Sequence, residues 1–118
     1  QQKIVNVPDV LKKKYFGTIG YKHYSIDMDI KKMVIFRQED IFTKDLKKFW
    51  DIILCRNVLI YINPESQEFL LDKIISACRE GSYLVLGKSE GLVGRLRKAF
   101  APKFPKERIY VKRRNYES

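Results

Sequence analysis

The segment from Trp50 to Gly87 constrains this 118-residue chain more than any other. It opens on Trp50-Asp51-Ile52-Ile53-Leu54-Cys55, five apolar residues and one acid, which read as a strand. A helix start follows, with Asn63 as N-cap, Pro64 at the first helical position and Glu65 in the first turn, where its charge complements the macrodipole. Leu71, Ile74, Ile75 and Cys78 recur at helical spacing, so one face of this helix packs on a sheet. Arg79 near the last turn and Gly81 just beyond it supply the stop. Ser82-Tyr83-Leu84-Val85-Leu86-Gly87 then reads as a second buried strand. Strand, helix and strand in so short a span predict a right-handed βαβ crossover in a parallel sheet. Such sheets gather ligands beyond the carboxyl ends of their strands, which brings forward Arg56, Asn57 and Tyr61 as candidate functional residues.

The rest of the chain is read around that unit. A helix is expected from Pro8 to Phe16, ended by Gly17 and Gly20. Tyr24, Ile26 and Met28 alternate with polar neighbours from Lys22 to Met28, the period of a half-buried strand. After a turn at Asp29 to Lys32, the continuous run Met33-Val34-Ile35-Phe36 reads as a strand buried on both faces, with Asp40 in the loop after it. Asp45 to Phe49 is expected to make a short helical turn. Beyond Lys88-Ser89-Glu90-Gly91 come a short basic helix around Leu92 to Phe100, a loop bracketed by Pro102 and Pro105, and an alternating strand from Arg108 to Lys112. Asn115 to Ser118 is a frayed tail. The expectation is one α/β domain over residues 1–118, and Gln1 in place of an initiator Met leaves open a processed product or a fragment.

Hydrophobic content of 45% and charged content of 32% describe an ordinary globular chain. No apolar run approaches the roughly 20 residues that cross a bilayer, and no signal-peptide pattern opens the chain, so membrane insertion is not expected and the reading is cytoplasmic. Cys55 and Cys78 sit in apolar patterns as reduced buried thiols, and with His23 as the single histidine a metal site has little to be built from. The net charge of +10 invites a nucleic-acid or acidic partner. Its distribution weakens that inference, because Lys12 to Lys14, Lys31 to Lys32, Lys47 to Lys48 and Lys112 to Arg114 are short groups between apolar positions, as on a generally basic solvated surface.

An Arg-Asn pair at the end of a buried strand has two explanations on position alone. One is a turn, with Asn57 bonded to its own backbone and Arg56 paired with a surface acid. The other is a cationic pocket able to orient a carboxylate or a nucleotide. Tyr61 has a rival reading as a core tyrosine capping the turn.

The wording of the stretch adds to this. Cys55-Arg56-Asn57-Val58-Leu59-Ile60-Tyr61-Ile62, the Asn-Pro-Glu helix start and the downstream Gly81 to Glu90 run, with Gly-x-Ser-Glu at Gly87 to Glu90, closely resemble the C-terminal part of CheR-type chemotaxis receptor methyltransferases. The resemblance reaches back through Asp40-Ile41 and Tyr15-Phe16. It implies methyl esterification of glutamate side chains on chemoreceptor cytoplasmic helices, with S-adenosylmethionine as donor and S-adenosylhomocysteine as product. It also implies that Asp40 and Ile41 contact the adenine end of the cofactor, that Arg56 and Asn57 approach it from the strand end, and that Arg56 and Tyr61 line the place where the methyl group moves. Those residue types suit the chemistry. A glutamate carboxylate is ionised near neutral pH, so the site need only align it. A guanidinium can hold it bidentately while a phenol fixes an oxygen.

Several positions depart from the family pattern: Asp40 stands where asparagine is common, Lys88 replaces a usual histidine and Ser82 a glycine. The larger departure is that no glycine loop and no ribose-binding acid precede Met33. The implied sheet order is third, second, first, fourth, fifth, seventh and sixth strand, with the C-terminal strand antiparallel. Met33 to Phe36 would be the third strand and Trp50 to Cys55 the fourth, and the first two strands are lacking. That predicts a partial Rossmann-like methyltransferase sheet with an exposed edge, completed by a second chain or rearranged so that Lys22 to Phe36 pairs elsewhere. The expectation is a methyltransferase that is inactive alone. The alternatives are a non-catalytic module engaging a receptor helix or nucleic acid through its basic surface, and a methyltransferase with a different acceptor.

Overall fold

A computed structural model describes residues 7–18, 24–46 and 49–114. The chain divides into two compact units, residues 1–38 and 39–118.

In the first unit, helix α1 (Asp9–Tyr15) follows Pro8, whose carbonyl accepts from the Leu11 and Lys12 N–H groups, as expected for a helix begun at proline. Strands β1 (Phe16–Thr18) and β2 (Tyr24–Ile26) pair antiparallel, Phe16 opposite Ile26. The Phe16 and Tyr24 rings meet edge to face at 6.4 Å. Where a turn was expected at Asp29 to Lys32, one helical turn forms, α2 (Met28–Lys31). The run Met33 to Phe36 is not a strand; it is irregular, and Phe36 is 93% exposed. The run is neither a strand nor buried on both faces: Met33, Val34, Ile35 and Phe36 are all exposed, no described strand pairs with it, and a segment without a pairing partner does not make a sheet. Gly20, Lys22 and His23 lie outside the described residues.

The second unit holds a four-stranded sheet in the order β3-β4-β6-β5, built from β3 (Trp50–Cys55), β4 (Cys78–Leu86), β5 (Phe100–Phe104) and β6 (Ile109–Lys112). β3 and β4 are parallel, Cys55 level with Leu86, and β6 runs antiparallel to both its neighbours. Three strands therefore point one way and the C-terminal strand the other. That order equals the fourth, fifth, seventh and sixth strands of the methyltransferase sheet, so the fold is the expected partial Rossmann-like α/β sheet. β3 forms one edge, and among the described residues it pairs with β4 alone.

Helix α3 (Pro64–Ala77) makes the crossover. Asn63 Oδ1 accepts the Ser66 N–H at 2.9 Å, the cap that the sequence called for. Leu70, Leu71, Ile74 and Ile75 are buried against Leu84, Leu86, Leu96, Phe100 and Tyr110. The helix stops at Ala77, earlier than expected, and Gly81 takes the left-handed φ of 80° in the bulged start of β4. Its final carbonyls are met by Lys112, which is buried and donates to Ile75 O at 2.6 Å and Cys78 O at 2.7 Å. A cation there also suits the negative end of the helix, and it removes Lys112 from the solvated surface to which its charge assigned it.

Other expectations shift. No helical turn forms at Asp45, Leu46 or Phe49, where one was expected, and Lys47 and Lys48 lie outside the described residues; a turn forms before them, at Asp40 to Lys44. The basic helix contracts to α4 (Leu96–Ala99), and Pro102 lies in β5 rather than at a loop boundary. Proline is tolerated there because β5 is the other edge of the sheet. Asn115 to Ser118 lie outside the described residues.

Candidate functional site

Parallel register brings the carboxyl ends of β3 and β4 side by side, so the segments that leave them, Arg56 to Tyr61 and Gly87 to Gly91, form one surface. Asn57 turns the chain with φ 59°, a conformation that asparagine tolerates better than most residues. Gly87 sits against it so closely that a Cβ would lie 2.3 Å from Asn57 Oδ1 and 2.9 Å from its backbone nitrogen. Only glycine fits there.

What fastens the two segments is Glu90. It is 5% exposed, and its Oε1 accepts the N–H groups of Asn57 at 2.8 Å and Gly87 at 2.9 Å while Oε2 accepts that of Leu59 at 2.8 Å. A turn bonding the Glu90 N–H to Gly87 O brings the carboxylate back into place. Burial pushes the carboxyl up, but hydrogen bonds from Gly87, Asn57, Leu59 and Ile60 outweigh it and hold the group below its ordinary value. The same charge, after burial, helps push the Cys55 thiol up to about 11, so Cys55 is an inert core thiol. Sequence reasoning gave Glu90 no role, though it closes the Gly-x-Ser-Glu run. The available signal was a lone carboxylate just past a buried strand with no cation beside it in sequence.

The predicted residues fall into two groups. Arg56 and Asn57 lie together at the end of β3, both exposed, and Arg56 Nε donates to Leu86 O at 3.4 Å across the two strand ends. Among the described residues no acid pairs with Arg56. The simple turn explanation is therefore altered: a turn exists, but a distant carboxylate holds it. Tyr61 ends a 3-10 turn (Leu59–Tyr61) that Gln67 pins to α3 by donating to Leu59 O at 2.8 Å and Ile62 O at 3.0 Å. At 83% exposed, Tyr61 is not the core tyrosine of the rival reading. A cleft of about 150 Å³ lined by Leu59, Ile60, Gln67 and Glu90 lies beside the brace.

Asp40 and Ile41 lie in a separate turn. Asp40 Oδ1 accepts the Phe42 N–H at 2.9 Å, and Ile41 packs against the core. Lys73 of α3 fixes this turn by donating to Ile41 O at 2.8 Å and Lys44 O at 2.7 Å. The hydrogen bonds at Asp40 stay within its own turn.

Exposed cationic, amide and phenol groups at the ends of parallel strands, with backbone crowded to glycine dimensions, suit one wall of a nucleoside cofactor site. The described residues before Met33 supply no glycine-rich strand-loop for a second wall. No group of metal-ligating side chains occurs among them either.

The sequence profile of the family "CheR methyltransferase, SAM binding domain" matches residues 1–107. A chemotaxis protein methyltransferase of Borreliella burgdorferi is 34% identical over 97 residues, which are 80% of this chain and 34% of that protein. One of Vibrio anguillarum is 39% identical over 85 residues, 70% of this chain and 30% of that protein. The chain thus spans about a third of the length of these curated relatives.

Proposed function

This chain belongs to the CheR methyltransferase family, and on that premise we propose that it serves methyl transfer from S-adenosylmethionine to glutamate side chains on the cytoplasmic helices of chemoreceptors. It acts as the C-terminal portion of a methyltransferase catalytic domain. The observation that carries the reading is the Glu90 brace, which presents Arg56 and Asn57 together at the carboxyl ends of two parallel strands.

When bound, the cofactor supplies a methyl group activated on a sulfonium. Asn57, from the end of β3, and Asp40 with Ile41, from their own turn, are the residues that would hold it. Arg56 orients the acceptor carboxylate through paired N–H groups, and the exposed Tyr61 hydroxyl donates to a carboxylate oxygen. No proton has to be removed from an acceptor that is already ionised, so alignment is the contribution these side chains make. The work is cytoplasmic in this reading; no helix among the described residues is long and apolar enough to cross a membrane.

The second wall comes from strands added to the free edge of β3, on the same chain or another. The position of β3 supports this, since among the described residues it pairs with β4 alone and its other side is an open edge. The test is transfer of a labelled methyl group to base-labile esters on a chemoreceptor cytoplasmic fragment. The chain is assayed alone and together with a polypeptide carrying a methyltransferase's first two strands and glycine loop. Transfer only in the mixture, lost with Arg56→Ala, is expected; transfer in neither, with both components folded, overturns the reading.

A further inference from the structure

Helix α3 holds two turns at once. Gln67 pins the 3-10 turn that carries Tyr61, and Lys73, six residues further along, pins the turn from Asp40 to Lys44. At about 1.5 Å per helical residue, those anchors stand about 9 Å apart along the helix axis. The Asp40 turn and the helix belong to one compact unit, which begins at Glu39. Met33 to Phe36, irregular and exposed, belong to the other unit and give the turn no strand to hang from.

Local bonds shape the Asp40 turn without placing it. Asp40 Oδ1 accepts the Phe42 N–H at 2.9 Å, and Asp40 O accepts those of Thr43 at 3.2 Å and Lys44 at 2.9 Å. Placement comes from α3. The Lys73 ammonium donates to the Ile41 carbonyl at 2.8 Å and to the Lys44 carbonyl at 2.7 Å, so it clamps the turn at two points. Its charge also lies 5.0 Å from the centre of the Phe69 ring, within cation–π range, and that ring stacks with Phe42 at 6.4 Å. Among the described residues no carboxylate pairs with Lys73. A lysine ordered by carbonyls and a ring alone gives up rotamer freedom that a solvated surface lysine keeps.

What that ordering secures is a carboxylate at a fixed place. Asp40 is exposed, and among the described residues its Oδ2 has no partner. We propose that Lys73 is a positioning residue for the cofactor's base, acting through the Asp40 turn, and that α3 is the spacer between the base end and the transfer end of the site. This rests on the reading that Asp40 and Ile41 hold the adenine. Lys73 itself does not touch the cofactor. Removing its ammonium frees the turn, so the carboxylate meets the exocyclic amino group in only a fraction of its conformations and affinity falls by that fraction. The strand-end wall, braced by Glu90, is left as it was.

The test compares S-adenosylhomocysteine with S-inosylhomocysteine, in which a carbonyl replaces the amino group of the base, by amide chemical-shift titration. The parent is expected to shift Ile41 as well as Arg56 and Asn57, and to prefer the adenine ligand about fivefold or more, the worth of one hydrogen bond. In Lys73→Met and Lys73→Gln the preference should shrink to within about twofold while the shifts at Arg56 and Asn57 persist. Lys73→Arg, which can still donate to both carbonyls, should restore most of it. Lys112→Met removes the same kind of clamp, two carbonyl bonds from a lysine, at the C-terminal end of α3 and should keep the full preference. Circular dichroism checks the fold of each variant. A preference kept in the Lys73 variants, or lost equally in Lys112→Met, overturns the proposal alone. A parent with no shift at Ile41, or with no base preference, overturns the reading of Asp40 and Ile41 and the proposal with it.

Discussion

Met33 to Phe36 and Trp50 to Cys55 are alike in sequence and opposite in outcome. Each is an apolar run that reads as a buried strand. The second is a strand because α3 returns the chain alongside it as β4, giving its backbone a parallel partner over Ile52 to Cys55. The first has no such partner among the described residues and is irregular, with Met33 78% exposed. Apolar continuity therefore reports what a segment is able to bury, and pairing is decided by whether a neighbouring strand exists. Even β3 shows half of the same condition. Ile53 and Cys55 face the core while Leu54, between them, is 69% exposed.

The comparison breaks most visibly under truncation. Phe100→Ala, in the filled core, should lower the unfolding free energy by about 3–5 kcal/mol, whereas Phe36→Ala should change it by no more than about 0.5 kcal/mol. Urea denaturation followed by circular dichroism measures both, and comparable losses would mean that Met33 to Phe36 is packed after all.

Next in size is Glu90→Gln, which replaces a charged acceptor of three backbone N–H groups and should cost about 2–3 kcal/mol. The pH dependence follows from the direction of the shift. Because the folded carboxyl lies below its ordinary 4.5, its stabilisation is complete above that pH and is lost as pH falls through the lowered folded value. Acid titration of stability should be shallower in Glu90→Gln than in the parent; identical acid limbs would remove Glu90 from the account.

Lys112→Met should cost about 1–2 kcal/mol, since it leaves Ile75 O and Cys78 O without their donor while keeping the aliphatic bulk. Fraying of the last turn of α3, read by amide hydrogen exchange, should accompany it. The smallest effect on stability is expected for Ile52→Lys on the exposed face of β3, within about 0.5 kcal/mol. Its signature is a lower tendency to self-associate in sedimentation, because a charge on an open edge strand disfavours pairing with another copy.

The β3-α3-β4 crossover was legible because every signal agreed: the apolar run, the Asn63 cap, Pro64 at the helix start and the helical spacing through Ile75. Arg56 and Asn57 were legible for the same reason, as residues at the end of a strand that could be placed. β5 was not, because Pro102 argues against a strand unless the strand is known to be an edge. Glu90 and Lys112 were missed because their roles depend on partners about thirty residues away, Asn57 and Leu59 for one, Ile75 and Cys78 for the other. Charge and local pattern assign such residues to the surface.

The central claim is that the ends of β3 and β4 form one wall of the cofactor site. Amide chemical-shift mapping of the chain with millimolar S-adenosylhomocysteine tests it most directly, because it detects binding too weak for calorimetry. The account predicts shifts clustered at Arg56, Asn57, Gly87 and Lys88, reduced in Glu90→Gln. Shifts absent there, or scattered over the rest of the chain, would contradict it.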